Sequence, residues 1–294
     1  MNIAVTGASG SIGKELVPFI VNLGHKVFTI SSSVTGNGKS IFSYEDLKCK
    51  DLDISIDIFI HLASLNSSLD LDSAEQEARL TRDILESLPS LDCSKLIFFS
   101  SGKVYGDNSK SKVIYDESSS LQPICSYGKA KKICEDLIFT TSDNLFNAIV
   151  LRLPPVLNQS HSSNVGKLIK LSRLGIPIPI FQDGLSNQRS FISFNNIEAV
   201  IEYLLNNPAF IDENKIYNLS DNHFISLSGL LKSSGKGLIF TLPKLFSNLM
   251  LRIPFLQGIF IKLYGNFVLD NTKIKLEMGV KLKSTSESML TLYL

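Results

Sequence analysis

The sequence predicts an α/β protein: a Rossmann-type, doubly wound parallel sheet with a smaller carboxy-terminal α+β lobe. Three observations predict it. Apolar runs with little alternation, such as "NIAVTG" (2–7), "DIFIHLA" (57–63) and "KLIFFSS" (95–101), are what strands buried on both faces require. Segments with helical spacing alternate with these runs through the first half of the chain, as right-handed crossovers between parallel strands demand. The first run also passes directly into three glycines, Gly7, Gly10 and Gly13, ahead of an apolar helix-like stretch.

The elements follow in order. After the strand at 2–7, Gly10 to Leu23 is helical by period. "HKVFTI" (25–30) is a second strand, and the segment between it and Asp57 is short, so one crossover should be abbreviated. The strand at 57–63 leads to "SAEQEARLTRDILESL" (73–88), which has helical spacing. A strand at 95–101, a helix near 123–139 and the strand "NAIVLRLP" (147–154) complete the first half. Beyond about residue 155 the rhythm changes. "VGKLIKLSRLG" (165–175) reads as a helix, and "RSFISF" (189–194) as a short strand. That strand runs into the helix "NNIEAVIEYLLNN" (195–207), with Asn195 or Asn196 as its cap. "KIYNLS" (215–220) is another strand, and short elements broken by Pro and Gly follow. The expected division is a dinucleotide-binding domain over 1–155 and a substrate-binding lobe over 156–294, partly interleaved with it.

Composition narrows the classes. At 294 residues and 44% hydrophobic, the chain can bury the core of one large domain or one and a half. A net charge of +1 argues against a nucleic-acid partner, which would call for a basic excess or stripe. Cys49, Cys93, Cys125 and Cys134 lack metal or redox spacing, so no metal is expected and they read as free thiols of a reducing compartment. Residues 1–20 lack a basic segment followed by an unbroken apolar one, so no signal peptide and a cytoplasmic location are expected. The most apolar stretch, 238–265, is interrupted by Pro243, Lys244, Arg252, Pro254 and Lys262, and so does not read as a membrane span. It reads as a short strand and two short amphipathic helices packed within the protein, with peripheral docking on a membrane surface as the alternative.

The glycine run "TGASGSIG" (6–13) follows a strand and opens a helix, the context in which such a run binds a dinucleotide. Gly7 permits the tight turn, Gly10 lets backbone approach a pyrophosphate, and Gly13 lets the helix pack on the strand. The helix start around Ser11 and Ile12 then offers unpaired N–H groups and a partial positive charge. Tyr127 and Lys131 lie four apart on an expected helix, so both project from one face. A cation within reach of a phenol favours the phenolate, which makes such a pair fit for moving a proton.

The GxxGxxG spacing with its flanking "TGASG" resembles the short-chain dehydrogenase/reductase superfamily, in its extended branch of nucleotide-sugar epimerases, dehydratases and reductases, the NAD-dependent epimerase/dehydratase family. Further motifs resemble that branch in the same order: "HLAS" (61–64), "SSGKVYG" (100–106), "YGKAK" (127–131), "LRLPPV" (151–156), "NQRSFISFNNI" (187–197) and the terminal "GNFVLDNTKIKLEMGV" (265–280). The resemblance implies that Leu62, Ala63 and Ser64 close a strand beneath the cofactor and that Pro154 stands beside the nicotinamide. It implies that Ser101, Tyr127 and Lys131 are catalytic, Lys131 also holding the cofactor ribose, and that Arg189 pairs with a substrate diphosphate. Lys103 and Asn164 are weaker substrate candidates, Lys103 being equally readable as a solvated lysine at a strand end.

Departures from the branch matter as much. Gly102 and Lys103 stand where 4,6-dehydratases carry an Asp–Glu pair, and Lys103 stands where double epimerases of the fucose-synthase type carry a cysteine. "SSGKVYG" looks most like 4-epimerases and 4-keto-sugar reductases of surface-polysaccharide pathways. Ser31 ends the second strand where NAD-specific members usually have an acidic residue, which tilts the cofactor expectation from NAD slightly toward NADP. Glu77 aligns with the branch's helical asparagine, and no role is assigned to it. The expectation is therefore NAD(P)-dependent hydride transfer at carbon 4 of a nucleotide-linked hexose, UDP-type, by a protein that could form a homodimer. A steroid, flavonoid or lipid-linked substrate is the alternative. A non-catalytic nucleotide sensor ranks last, because such proteins typically lose the tyrosine of YxxxK.

Overall fold

The fold grows from a strand whose last four residues are buried, β1 (Asn2–Thr6), running into helix α1 (Gly13–Asn22), which turns Leu16 and Ile20 inward. The protein is seen here as a computed structural model that describes residues 1–31, 41–48, 54–64, 71–106, 114–142, 145–157, 164–182, 187–234, 238–253 and 264–287. After α1 come β2 (Lys26–Ser31), β3 (Ile41–Ser43), α2 (Tyr44–Lys48), β4 (Ile58–His61) and α3 (Leu71–Ser87). Then follow β5 (Lys95–Ser101), β6 (Ile114–Tyr115), α4 (Ser126–Thr141), β7 (Asn147–Leu153), β8 (Val156–Leu157), α5 (Asn164–Arg173) and β9 (Ile178–Phe181). The chain continues through β10 (Ile192–Ser193), α6 (Phe194–Asn206), β11 (Lys215–Asn218), α7 (Leu227–Ser233), β12 (Ile239–Leu242), α8 (Lys244–Arg252), β13 (Val268–Leu269) and α9 (Thr272–Met278).

Seven strands form the main sheet in the order β3-β2-β1-β4-β5-β7-β11. The pairs β1/β2, β1/β4, β2/β3 and β4/β5 are parallel. From β1 the chain first works outward through β2 and β3, then returns to the other side of β1 with β4. That reversal opens a crevice at the carboxyl ends of β1 and β4, where sheets of this kind bind ligands. The abbreviated crossover is the five-residue α2, entered through a third strand, β3, that the sequence reading omitted. Three residues are too few to show periodicity, and β3 exists because Thr29–Ser31 offer it a parallel edge.

The chain divides into two units. The first comprises 1–106, 121–152 and 200–217, and its core packs Phe59, Ile84, Phe98, Cys134, Ala148 and Val150 together. The second comprises 107–120, 153–199 and 218–294, with a core of Leu157, Ile169, Ile178, Phe191, Leu227 and Leu230 and small parallel pairs β8/β10, β9/β12 and β6/β13. In this second unit the Asp221 carboxylate is buried and accepts from Ser193 N and Oγ, Asn196 Nδ2 and Thr285 Oγ1. Burial still holds its pKa above the ordinary aspartate value. Asn195 and Asn196, expected as caps, lie inside α6, because the Asn196 amide is drawn to Asp221 and to the carbonyl of Lys283. Cys49 and the second of the two amphipathic helices expected in 238–265 lie outside the described residues. Among the described residues, no helix is long and apolar enough to cross a membrane.

Candidate active site

Gly7 has φ +70°, a backbone conformation that disfavours any side chain, and a Cβ there would stand 2.7 Å from the backbone nitrogen of Ala63. The turn after β1 therefore lies flat against the end of β4, closed by the Gly10 N–H to the Gly7 carbonyl at 2.9 Å. A Cβ on Gly13 would collide with the Gly7 carbonyl, so α1 can start this close to β1 only from a glycine. The start of α1 has no side-chain cap hydrogen bond, and Gly10 and Ser11 are exposed. The positive end of the helix thus lies at the surface.

That space is a cleft of about 660 Å³ lined by Gly7, Gly10, Ser11, Ile12, Gly13, Ser31, Leu62, Ala63, Ser64 and Tyr127. Ser9, Tyr44, Gln76 and Leu80 complete its wall, and these four the sequence reading did not name. Tyr44 was legible only once β3 was known, because the Ser31–Ser43 register puts it beside Ser31. The volume suits a cofactor-sized ligand, and a glycine-walled floor beside an exposed helix N-terminus suits a pyrophosphate, so the residues fit a nicotinamide dinucleotide.

Beneath the cleft a hydrogen-bonded chain fixes the imidazole of His61. The Ala63 N–H donates to Thr6 Oγ1, whose hydroxyl meets His61 Nδ1 at 2.8 Å; His61 Nε2 meets Thr81 Oγ1 at 3.2 Å, and Thr81 lies 3.0 Å from the Glu77 carbonyl. With Thr81 donating to that carbonyl, Nε2 carries the proton and Nδ1 accepts. Burial, aided by the Lys131 charge, pushes the His61 pKa down to about 3, so the ring is neutral.

Tyr127 is half-buried in the first turn of α4, and Lys131 follows one turn on. The Lys131 ammonium is buried, 4.8 Å from the Phe98 ring centre and 5.9 Å from that of Tyr127. It pairs with Glu77 Oε1 at 2.9 Å, each side chain being 1% exposed. Ser64 Oγ donates to both Glu77 oxygens, at 3.0 and 3.1 Å. Burial pulls the Lys131 pKa down, but Tyr127 and Glu77 outweigh it and hold it above the usual lysine value. Glu77 is the residue that sequence reasoning left without a role. The signal was present: Ala74, Glu77, Ala78, Thr81, Ile84 and Leu85 form the buried stripe of α3, and a charge in such a stripe requires a partner.

Ser101 is buried at the end of β5, and its Oγ accepts the Lys103 N–H at 3.2 Å. The turn after it touches α4 next to Tyr127: a Cβ on Gly128 would stand 2.5 Å from the Lys103 carbonyl. Ser101, Lys103 and Tyr127 are thus brought together, with Lys103 half-buried. Pro154 is buried directly after β7. Asn164 opens α5, and its side chain lies outside the described residues. Arg189, in the second unit, is 8% exposed, bridges Ile225 and Phe267 by backbone, and donates from Nη1 to the Gly265 carbonyl at 2.7 Å.

A glycine-floored cleft at the switch point of a doubly wound sheet, with a Tyr-x-x-x-Lys helix on its rim, defines a dinucleotide-binding protein of the short-chain dehydrogenase/reductase kind. The profile of the NAD dependent epimerase/dehydratase family matches residues 3–220, and the chain belongs to that family. It is 23% identical to a UDP-glucose 4-epimerase of Vibrio cholerae over 245 residues, 79% of this chain and 74% of that one. It is 30% identical over 152 residues to a putative UDP-glucose 4-epimerase of Methanocaldococcus jannaschii, 46% of this chain and 49% of that one. Among solved structures, UDP-N-acetylglucosamine 4-epimerase of Bacillus cereus superposes with a TM-score of 0.78 at 16% identity, covering 99% of each chain. UDP-glucuronic acid 4-epimerase of the same organism, in complex with NAD, gives a TM-score of 0.75 at 21% identity over 100% of this chain and 95% of that one.

Proposed function

We propose that this protein catalyses NAD(P)-dependent hydride transfer at carbon 4 of a nucleotide-linked hexose, with a UDP-type sugar as substrate and a 4-epimerase as the leading reaction. The observation that carries the reading is the placement of Tyr127 on the rim of the glycine cleft, with the buried, charged Lys131 one helical turn behind it. Bound in the cleft, the nicotinamide would supply and take the hydride. The chain's own residues do the rest. Gly7, Gly10, Ser11, Ile12 and Gly13 receive the pyrophosphate, while Leu62, Ala63, Ser64 and Ser31 line the cleft around it. Tyr127 takes the proton from the C4 hydroxyl and returns it, Ser101 holds the same oxygen, and the Lys131 charge favours the phenolate form that can accept a proton. Residues 1–155 form the dinucleotide-binding part, with Pro154 beside the nicotinamide, and 156–294 the substrate lobe, partly interleaved with it, from which Asn164 and Arg189 serve the substrate. Gly102 and Lys103 leave no carboxylate at the turn after Ser101 to drive elimination, which supports epimerisation or reduction over dehydration.

Ser31 in the cleft wall supports a second reading, a 4-keto reductase that exchanges NADP, since no carboxylate there repels a 2′-phosphate. Incubation of the purified chain with UDP-hexoses separates the two. An epimerase interconverts the C4 epimers with no net consumption of cofactor; a reductase oxidises one NADPH per 4-keto sugar reduced. If UDP and UDP-sugars fail to bind in calorimetry, the nucleotide-sugar reading falls. The Arg189 assignment is tested in the same titration: Arg189→Ala should weaken UDP binding tenfold to a hundredfold, and Arg189→Lys, which keeps the charge, should recover only part of that loss, since a point charge cannot reproduce the guanidinium fork.

A further inference from the structure

Among the described residues, nine of the seventeen exposed large hydrophobics fall within 171–176 and 238–253. Four form one stripe along α8 and its end: Leu245, Phe246, Leu249 and Ile253, at 77%, 50%, 58% and 43% exposure. Their spacing puts them on a single helical face. Phe240 of β12, also exposed, stands in register with exposed Pro179 of β9, the strand against which α8 packs, and carries the apolar surface onto the small sheet. The sequence favoured packing this stretch inside the protein; the fold turns these residues outward.

The charge of the same region is one-sided. The elements α5, α7, β9 and β12 share a core built on Ile169, Ile178, Leu230 and Ile239. Together with α8 they carry Lys167, Lys170, Arg173, Lys232, Lys244 and Arg252 and no Asp or Glu, in a chain that has 28 acidic residues. The full stretches 144–182 and 222–269 contain no acidic residue.

We propose that this face docks on an anionic bilayer surface, α8 lying in the plane of the headgroups with its stripe in the acyl boundary and the lysines and arginines against lipid phosphates. An exposed apolar stripe set among cations is the pattern by which helices lie on, rather than span, a membrane. A second copy of the chain is a poor occupant, since the same face of each copy would set one group of basic, acid-free elements against another.

The test is co-sedimentation of the full chain with vesicles of phosphatidylcholine alone and of phosphatidylcholine mixed with phosphatidylglycerol. Binding is expected to the mixed vesicles, weakened in roughly 0.5 M salt. Lys244→Gln with Arg252→Gln should weaken it about 25-fold, some fivefold per cation removed. Phe246→Ser with Leu249→Ser should weaken it at least tenfold while leaving thermal unfolding unchanged, because both side chains are exposed. No sedimentation with either vesicle, equal binding to both, or variants that bind like the parent would overturn the proposal. A dimer in ultracentrifugation that Phe246→Ser dissolves would assign the face to a second copy. Early unfolding of the serine variant would assign it to the protein's own packing. Capture by an acidic protein without any vesicle binding would assign it to that partner.

Discussion

Helix α4 holds two buried ion pairs one turn apart, and they do different work. Lys131 meets Glu77 of α3; Glu135 meets Arg152 of β7, with Arg152 Nη2 at 2.6 Å from Oε2 and Nε reaching both oxygens. Both pairs are all but sealed from water. In both, burial opposes the positive charge, and the partners win and hold its pKa above the ordinary value. What separates them is their neighbours. Around Lys131 stand Tyr127 and Ser64, which line the cleft. Around Arg152 stand Tyr105, whose hydroxyl accepts from Nη1 at 2.8 Å, and Ser100, which donates to Glu135. The second pair ties β5, α4 and β7 together behind the site. Burial and charge therefore do not tell the two cations apart; the groups beside them do, and only those around Lys131 line the cleft.

The comparison can be broken or sharpened. The largest effect belongs to Tyr127→Phe, which keeps the ring and removes the proton carrier. Turnover should fall by about 10² to 10⁴ with cofactor affinity nearly unchanged. Steady-state rates and cofactor titration check this, and near-normal turnover would remove Tyr127 from the chemistry.

Breaking the two pairs comes next. Arg152→Met strands Glu135 in the core and should cost about 3–5 kcal/mol in denaturant unfolding, with the folded fraction keeping its turnover within a few-fold. Glu77→Gln should also cost stability, but in addition it should move the alkaline limit of the pH–rate profile downward. The sign follows from Glu77 favouring the charged form of Lys131: without it Lys131 loses its proton at lower pH. If Arg152→Met shifts the profile equally, the two pairs are not functionally distinct.

A smaller effect comes from His61, which meets Thr81 and the Phe98 ring beside the Lys131 pair. Its folded pKa of about 3 lies below the unfolded value near 6.5, so the unfolded chain binds the extra proton in between. Stability is present above pH 6.5 and falls with decreasing pH, by about 1.4 kcal/mol per unit from this group. Melting followed from pH 7 to 5 should show the slope, and His61→Gln should flatten it.

The smallest is Ser31→Asp. A carboxylate added at the cleft wall accepts from a ribose hydroxyl and repels a 2′-phosphate, so the NAD-to-NADP affinity ratio should rise about tenfold. An unchanged ratio would place Ser31 away from the ribose.

The sequence by itself determined a good deal. Apolar runs and helical periods located the strands at 2–6, 58–61 and 95–101 and helices α3 and α4 to within a few residues. The glycine spacing located the cleft floor, because a turn that tight against a neighbouring strand tolerates no side chain at Gly7 or Gly13. Tyr127 and Lys131 were readable for the same reason: a four-residue interval on a helix is a local fact. Only the tertiary structure decided that Glu77 is the partner of Lys131, that Tyr44 and Gln76 wall the cleft, and that α8 faces outward. Periodicity says which residues share a face of an element. It cannot say which other element, 54 positions away for Glu77 and Lys131, comes to meet that face, because the meeting is settled by how all the elements pack at once.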